Sequence, residues 1–172
     1  MGPRRIARAK EPDSAAAAYA RGLRLLSIRS RGREELRREL TRRGFSAGAA
    51  GRALERLVAE GWLREDEAAS ALVRSRRGRY GRRRIARELE ARGFGAETAS
   101  RALEELSAGR EDAALAHAFE RLWKSSSRLP LPERRSRVRR ALTARGFAPE
   151  AISAMIRGSH GRDVEGDPGE VP

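Results

Sequence analysis

The sequence predicts an all-α protein: an elongated array of three tandem three-helix, helix-turn-helix-like repeats with disordered termini. Three observations predict it. The first is a recurring hexapeptide: Leu40-Thr41-Arg42-Arg43-Gly44-Phe45, then Leu89-Glu90-Ala91-Arg92-Gly93-Phe94, then Leu142-Thr143-Ala144-Arg145-Gly146-Phe147. The second is an aliphatic residue four places before each leading Leu: Leu36, Ile85 and Val138. That interval puts the two side chains one turn apart on a single helix face. The third is the period. The three phenylalanines stand 49 and 53 positions apart, a range that signals stacked helical units.

Each hexapeptide reads as the end of a helix. A cation at Arg43, Arg92 or Arg145 suits the negative end of the helix dipole. The glycine takes the left-handed conformation that stops the helix, and the phenylalanine folds back on the leading Leu, as in a Schellman cap.

The elements follow in order. Residues 1–14 are basic and polar, broken by Pro3 and Pro12, and read as a disordered arm. Asp13 or Ser14 can cap a helix from Ala15 to about Ile28, with Tyr19, Leu23 and Leu26 on one side. Ser30 or Gly32 begins a second helix, which ends at Gly44-Phe45. Ser46 caps a third, from Ala47 to about Glu60, with Ala50, Ala53, Leu54 and Leu57 inward; Gly61 stops it and Trp62-Leu63 covers the end. These helices make repeat 1, residues 15–63.

Repeat 2, residues 64–109, opens at Glu65-Asp66 with Ala69, Leu72 and Val73 inward. It turns through Arg77-Gly78-Arg79-Tyr80-Gly81, continues through Ile85 and Leu89 to Gly93-Phe94, and adds a helix from about Ala96 to Leu106. Repeat 3, residues 110–158, opens at Glu111-Asp112 and carries Leu115, Phe119, Leu122 and Trp123. After a longer link, Ser125 to Pro132, come Val138, Leu142 and Gly146-Phe147. Pro149 then takes a first helical position, with Ile152, Met155 and Ile156 inward. Residues 159–172 reverse in charge and read as a disordered acidic tail. One repeat holds too few large apolar residues to stand alone, so neighbours must bury each other's open faces.

Charge bounds the partners. The formal net charge is +14, and the only lysines are Lys10 and Lys124. Such a surplus favours nucleic acid, an acidic protein face or anionic lipid. Arginine in place of lysine suits bidentate contact with phosphate or carboxylate, although an Arg-rich genome would write the same choice. There is no cysteine, hence no disulfide or thiol chemistry, and a cytoplasmic location is the simplest reading. The first ten residues carry positive charge without an apolar run behind it, which argues against a secretory signal. No stretch approaches the roughly 20 apolar residues that a bilayer requires.

Catalysis needs a positioned acid, base, nucleophile or metal. His117 and His160 are the only histidines, and no cluster has metal-ligand spacing. Gly78-Arg79-Tyr80-Gly81-Arg82 lacks the Gly-Lys-Ser/Thr ending of a phosphate loop. Glu34, Glu35, Glu39, Glu88 and Glu90 stand among arginines at helical spacing, as solvated ion pairs do. The reading is a binding module without catalytic residues, metal or cofactor.

The basic residues carry the functional expectation. Two positions after Leu36, Ile85 and Val138 stands an arginine: Arg38, Arg87 and Arg140. At 100° per residue these point away from the core stripe. Arg76, Arg83 and Arg84 add to the second copy. The six are the expected binding residues, forming a basic stripe along a polymeric partner; the bland alternative is a charged face that keeps the chain soluble.

These residues also carry a family resemblance. The segment Gly61-Trp62-Leu63-Arg64-Glu65-Asp66, the turn Arg77 to Gly81, and the helix Ile85 to Gly93 together resemble the RecX family of bacterial regulators of the RecA recombinase. The likeness runs from about Ala18 to Gly158. Ala68-Ala69 stands where that family usually has Phe-Ala, and Arg82 replaces a frequent Pro. The resemblance implies a non-enzymatic, monomeric regulator of three three-helix units. It would bind in the groove of the RecA–DNA filament and restrain ATP hydrolysis and strand exchange. The rival is a stand-alone, sequence-independent nucleic-acid-binding array. Three-helix units can enter a major groove, but the outward positions offer few Asn or Gln to read bases.

Overall fold

The computed structural model describes residues 9–106 and 108–159. All the regular structure in them is helical: α1 (Ala15–Ile28), α2 (Arg33–Arg42), α3 (Ala47–Ala59), α4 (Glu65–Arg76), α5 (Arg82–Ala91), α6 (Ala96–Glu104), α7 (Ala108–Ser125), α8 (Leu131–Ala144) and α9 (Pro149–Gly158). Ser14 and Ser46 cap α1 and α3, each accepting a hydrogen bond from the amide three residues on.

The three recurring hexapeptides end α2, α5 and α8 in the same way. In the first, Gly44 N–H donates to Thr41 C=O at 2.8 Å and Phe45 N–H donates to Leu40 C=O at 3.2 Å. The same pair of bonds recurs at Gly93-Phe94 and Gly146-Phe147. This is the Schellman pattern, and it needs a left-handed residue after the helix. Gly44, Gly93 and Gly146 have φ of 90°, 70° and 83°. The leading leucines and the phenylalanines are buried.

The chain divides into two compact units, and these do not coincide with the repeats. One comprises Met1–Leu72 with Arg87–Glu105; the other comprises Val73–Ala86 with Leu106–Pro172. Both α4 and α5 contribute a part to each. Within the first unit, α1, α2 and α3 enclose a core of Leu25, Leu36, Leu40, Leu54 and Leu57 with Ala18, Ala49, Ala50 and Ala53. Within the second, α7, α8 and α9 enclose Phe119, Trp123, Val138, Phe147 and Ile152.

Each unit contains the same helix-end junction. In the first unit Gly32 N–H donates to Arg92 C=O at 2.8 Å, and Glu34 N–H to Gly93 C=O at 3.2 Å. In the second, Gly81 N–H donates to Arg145 C=O at 2.9 Å, and Arg83 N–H to Gly146 C=O at 3.3 Å. The amides that α2 and α5 leave unpaired at their starts therefore meet the carbonyls that α5 and α8 leave unpaired at their ends. A carboxylate completes each junction: Glu65 accepts from Arg33 N–H and Glu111 from Arg82 N–H, both at 2.8 Å. Only glycine fits at the contact. A Cβ on Gly32 would lie 2.1 Å from Gly93 O, and one on Gly81 would lie 2.4 Å from Gly146 O.

Several expectations need correction. Residues 9–14 were expected to belong to a mobile arm. Instead Ala9 N–H donates to Arg43 C=O at 2.7 Å and Ser46 N–H to Pro12 C=O at 2.9 Å, which fastens the segment to the first unit. The rest of the arm, 1–8, and the acidic tail from 160 onward lie outside the described residues; Ser159 is buried against the end of α9. The buried stripe of α1 is Ala18, Gly22 and Leu25, whereas Tyr19, Leu23 and Leu26 are half-buried at its edge. Small residues face inward because α1 and α3 approach closely: a Cβ on Gly22 would lie 2.7 Å from Leu57 Cδ1.

Trp62 does not cover the end of α3. It is 59% exposed, and Leu63 is buried there instead. The helix α6 ends at Glu104, and Leu106 is half-buried beyond it. The helix α7 starts at Ala108, so the expected boundary between 109 and 110 falls inside its first turn. The first amides of a helix have no intrahelical acceptor, and Gly109 interrupts nothing there.

Candidate binding surfaces

The outward arginines begin on α2. Leu36 and Leu40 bury one stripe of this helix, which leaves Arg38 exposed on its other side. Arg33, Arg37, Arg38 and Arg42 line a groove together with Glu34 of the same helix and Gly51 and the buried Leu54 of α3. Acids on the same helix neutralise part of this charge. Arg37 pairs with Glu34 at 2.5 Å, and Glu39 receives Arg42 at 2.5 Å and Arg43 at 2.6 Å. Burial pushes the Glu39 carboxyl up, but the hydrogen bonds and charges of Arg42 and Arg43 outweigh it and hold its pKa below the ordinary value. Glu35 is gripped by both Arg29 and Arg31. Of these acids Glu34 pairs in solvent as expected, whereas the Glu35 and Glu39 side chains are only 14% exposed, so their ion pairs are mostly buried.

Arg87 is the equivalent residue on α5 and Arg140 the equivalent on α8; both are exposed. The first unit holds Arg38 and Arg87. The second holds Arg76, Arg83, Arg84 and Arg140. These four are not alike. Arg76 is half-buried near the end of α4. Arg83 stands 3.8 Å from Glu150, with both side chains mostly exposed. Arg84 is engaged by the fold: its Nη1 donates to Ala144 C=O at 3.0 Å, and its guanidinium lies 4.2 Å from the Tyr80 ring centroid. It caps the end of α8 at the junction described above, a favourable place for a cation.

Sequence reasoning singled out Arg38 and missed Arg33, Arg37 and Arg42 beside it. The available signal was the i, i+4 spacing of Arg33 with Arg37 and of Arg38 with Arg42 along α2. It also passed over Gly32, Gly81, Glu65 and Glu111 as a set, although the two glycines stand at matching positions before Leu36 and Ile85. Among the described residues no three His, Asp or Glu side chains converge as metal ligands, and no helix is long and apolar enough to cross a membrane.

Comparison with known proteins bears on the family and the fold. Residues 18–57 match the family model described as RecX, first three-helix domain, and residues 65–103 match RecX, second three-helix domain. A regulatory protein RecX from Ralstonia pickettii (strain 12J) is 34% identical over 151 residues, covering 86% of this chain and 91% of that protein. The chain belongs to the RecX family. A regulatory protein RecX from Mycobacterium sp. (strain JLS) is 42% identical over a shorter stretch of 66 residues; this covers 38% of the chain and 36% of that relative, so the chain spans about a third of the mycobacterial protein it matches. The crystal structure of RecX from Lactobacillus salivarius superposes with a TM-score of 0.70 at 18% identity, over 84% of this chain and 95% of that one. At that identity the likeness speaks to the fold alone. The matched RecX domains correspond to α1–α3 and α4–α6, the first two of the repeats read from the sequence.

Proposed function

We propose that this RecX-family chain is a non-enzymatic, cytoplasmic regulator that binds the RecA recombinase–DNA filament as a monomer and restrains its ATPase and strand exchange. In that role it modulates recombination, DNA repair and the SOS response. The observation that carries the reading is the placement of Arg38, Arg87 and Arg140. They occupy equivalent positions on α2, α5 and α8, each two residues past a fully buried aliphatic side chain, and each is exposed. Repeated guanidinium groups suit a partner with repeated negative charge. Arg76 and Arg83 add to the basic surface. Arg84 contributes mainly by holding the junction at which Arg83 stands.

The test is inhibition of recombinase ATPase on single-stranded DNA. The triple substitution of Arg38, Arg87 and Arg140 by Ala is expected to keep the helical circular dichroism and to weaken inhibition by at least tenfold. Unchanged inhibition would refute the assignment. A plain nucleic-acid binder is the second reading, favoured by the net charge of +14. It predicts tight binding to naked DNA with a steep salt dependence, whereas the filament reading predicts weak binding to naked DNA and much stronger binding to recombinase-coated DNA.

A further inference from the structure

A cleft in the second compact unit gathers cations from three elements. Its walls are the turn between α4 and α5 (Gly78, Arg79, Tyr80), the middle of α7 (His117, Arg121) and the C-cap of α8 (Arg145). Among the described residues no carboxylate lines it. Several arginines elsewhere sit beside acids: Arg43 beside Glu39, Arg56 beside Glu60, Arg92 beside Glu88. Here three guanidinium groups and an imidazole share one recess without a counter-charge in its walls.

Neither Arg79 nor Arg121 serves a hydrophobic core; both are exposed. Arg145 is half-buried, and its Nη1 atom is buried with no hydrogen-bond partner among the described residues. Leaving a buried charged donor without an acceptor is costly, and since Arg145 also lines the cleft, a turn of its guanidinium toward an anion there would relieve that cost. The wall itself is braced. Gly78 turns the chain with a φ of +81°, and the Tyr80 ring is held by Arg84, which is itself bonded to the end of α8.

The geometry points to a binding site for a phosphoryl group bearing two or more negative charges, a polyphosphate or a phosphate monoester. Guanidinium presents paired donors that match phosphate oxygens, and His117 adds a ring N–H. Three fixed positive charges exceed the single charge of an internal phosphodiester, so the cleft favours a more highly charged group. Two sources offer that chemistry: a free nucleoside di- or triphosphate, and the phosphorylated end of a nucleic-acid strand. The turn is not a phosphate loop of the hydrolytic kind, because no Lys-Ser/Thr follows its glycine. This inference stands apart from the filament reading, since the isolated chain should hold the ligand.

The experiment uses the full chain alone, with pyrophosphate as the first probe, followed by calorimetry and by ¹⁵N nuclear magnetic resonance of the arginine and histidine side chains. Pyrophosphate is expected to bind saturably and to shift the His117 and Arg121 signals. Arg79→Ala and Arg121→Ala should each weaken binding by about tenfold or more, the loss of one charge-assisted contact. Arg52→Ala, which removes the same charge from an exposed position on α3, should leave binding unchanged. Circular dichroism should be the same for all three variants. Competition by ATP would identify a free nucleotide as the source; competition by a 5′-phosphorylated oligonucleotide, lost on dephosphorylation, would identify a strand end. The proposal is overturned if pyrophosphate does not bind, if Arg52→Ala weakens it as much as Arg121→Ala, or if an unphosphorylated oligonucleotide competes equally well.

Discussion

The cores of the two compact units solve one problem with opposite materials. Around α1–α3 the interior is leucine set among alanines, with Gly22 pressed against Leu57. Around α7–α9 it is aromatic: Phe119 and Trp123 stack with ring centroids 5.1 Å apart, beside a fully buried Phe147. Small side chains gain stability by letting backbones approach; large ones gain it by filling a wider gap. What the two units share is the helix ending, a leucine, a left-handed glycine and a phenylalanine, and the glycine-on-glycine junction built on it. The repeat therefore lies in the punctuation of the helices more than in the filling between them.

That contrast can be broken from either side. In the aromatic core Phe119→Ala should cost about 4 kcal/mol, because both the ring's transfer energy and its stacking partner are lost. In the alanine-lined core the damaging change runs the other way: Ala50→Leu should cost about 2 kcal/mol by overpacking. Chemical denaturation measures both, and a harmless Ala50→Leu would mean that the first core is looser than its burial implies.

The shared junction gives an effect between those two. Gly93→Ala and Gly146→Ala each force a Cβ into backbone, 2.1 Å from Glu35 N and 2.4 Å from Arg84 N respectively. Each also places a side chain at positive φ. Each should destabilise by about 3 kcal/mol, and the two costs should agree closely if the junctions are equivalent. A marked difference in denaturation midpoint between them would show that one junction bears more of the fold than the other.

The carboxylates that complete the junctions give the smallest effect. Glu65→Ala and Glu111→Ala each remove an acceptor from the first amide of α2 or α5 and should cost about 1 kcal/mol, as the loss of a helix cap does. Amide hydrogen exchange at Arg33 and Arg82 reads the loss directly; unchanged protection would mean that the backbone bonds to Arg92 and Arg145 suffice alone.

Much of this was legible without coordinates. Leu36, Leu40, Ile85, Leu89, Val138 and Leu142 announced their burial by spacing, and the Gly-Phe pairs announced where their helices stop. The exposure of Arg38, Arg87 and Arg140 followed from the same period. Other features were not legible. Tyr19 and Leu23 offer more apolar surface to bury than Ala18 and Gly22, yet the small residues face inward because another helix lies against them. Arg84 reads as one cation in a run, and its bond to Ala144 spans 60 positions of sequence.

Local periodicity and cap chemistry, then, settled where α2, α5 and α8 stop, which face of those three helices is apolar and that Arg38, Arg87 and Arg140 point outward, because those depend on residues within a turn or two of one another. The pairing of Gly32 with Gly93 and of Gly81 with Gly146, the splitting of α4 and α5 between two compact units, and the gathering of His117, Arg121 and Arg145 around one cleft were decided by tertiary structure. Each depends on which distant backbones can approach closely enough to touch, and that is a property of the packed chain.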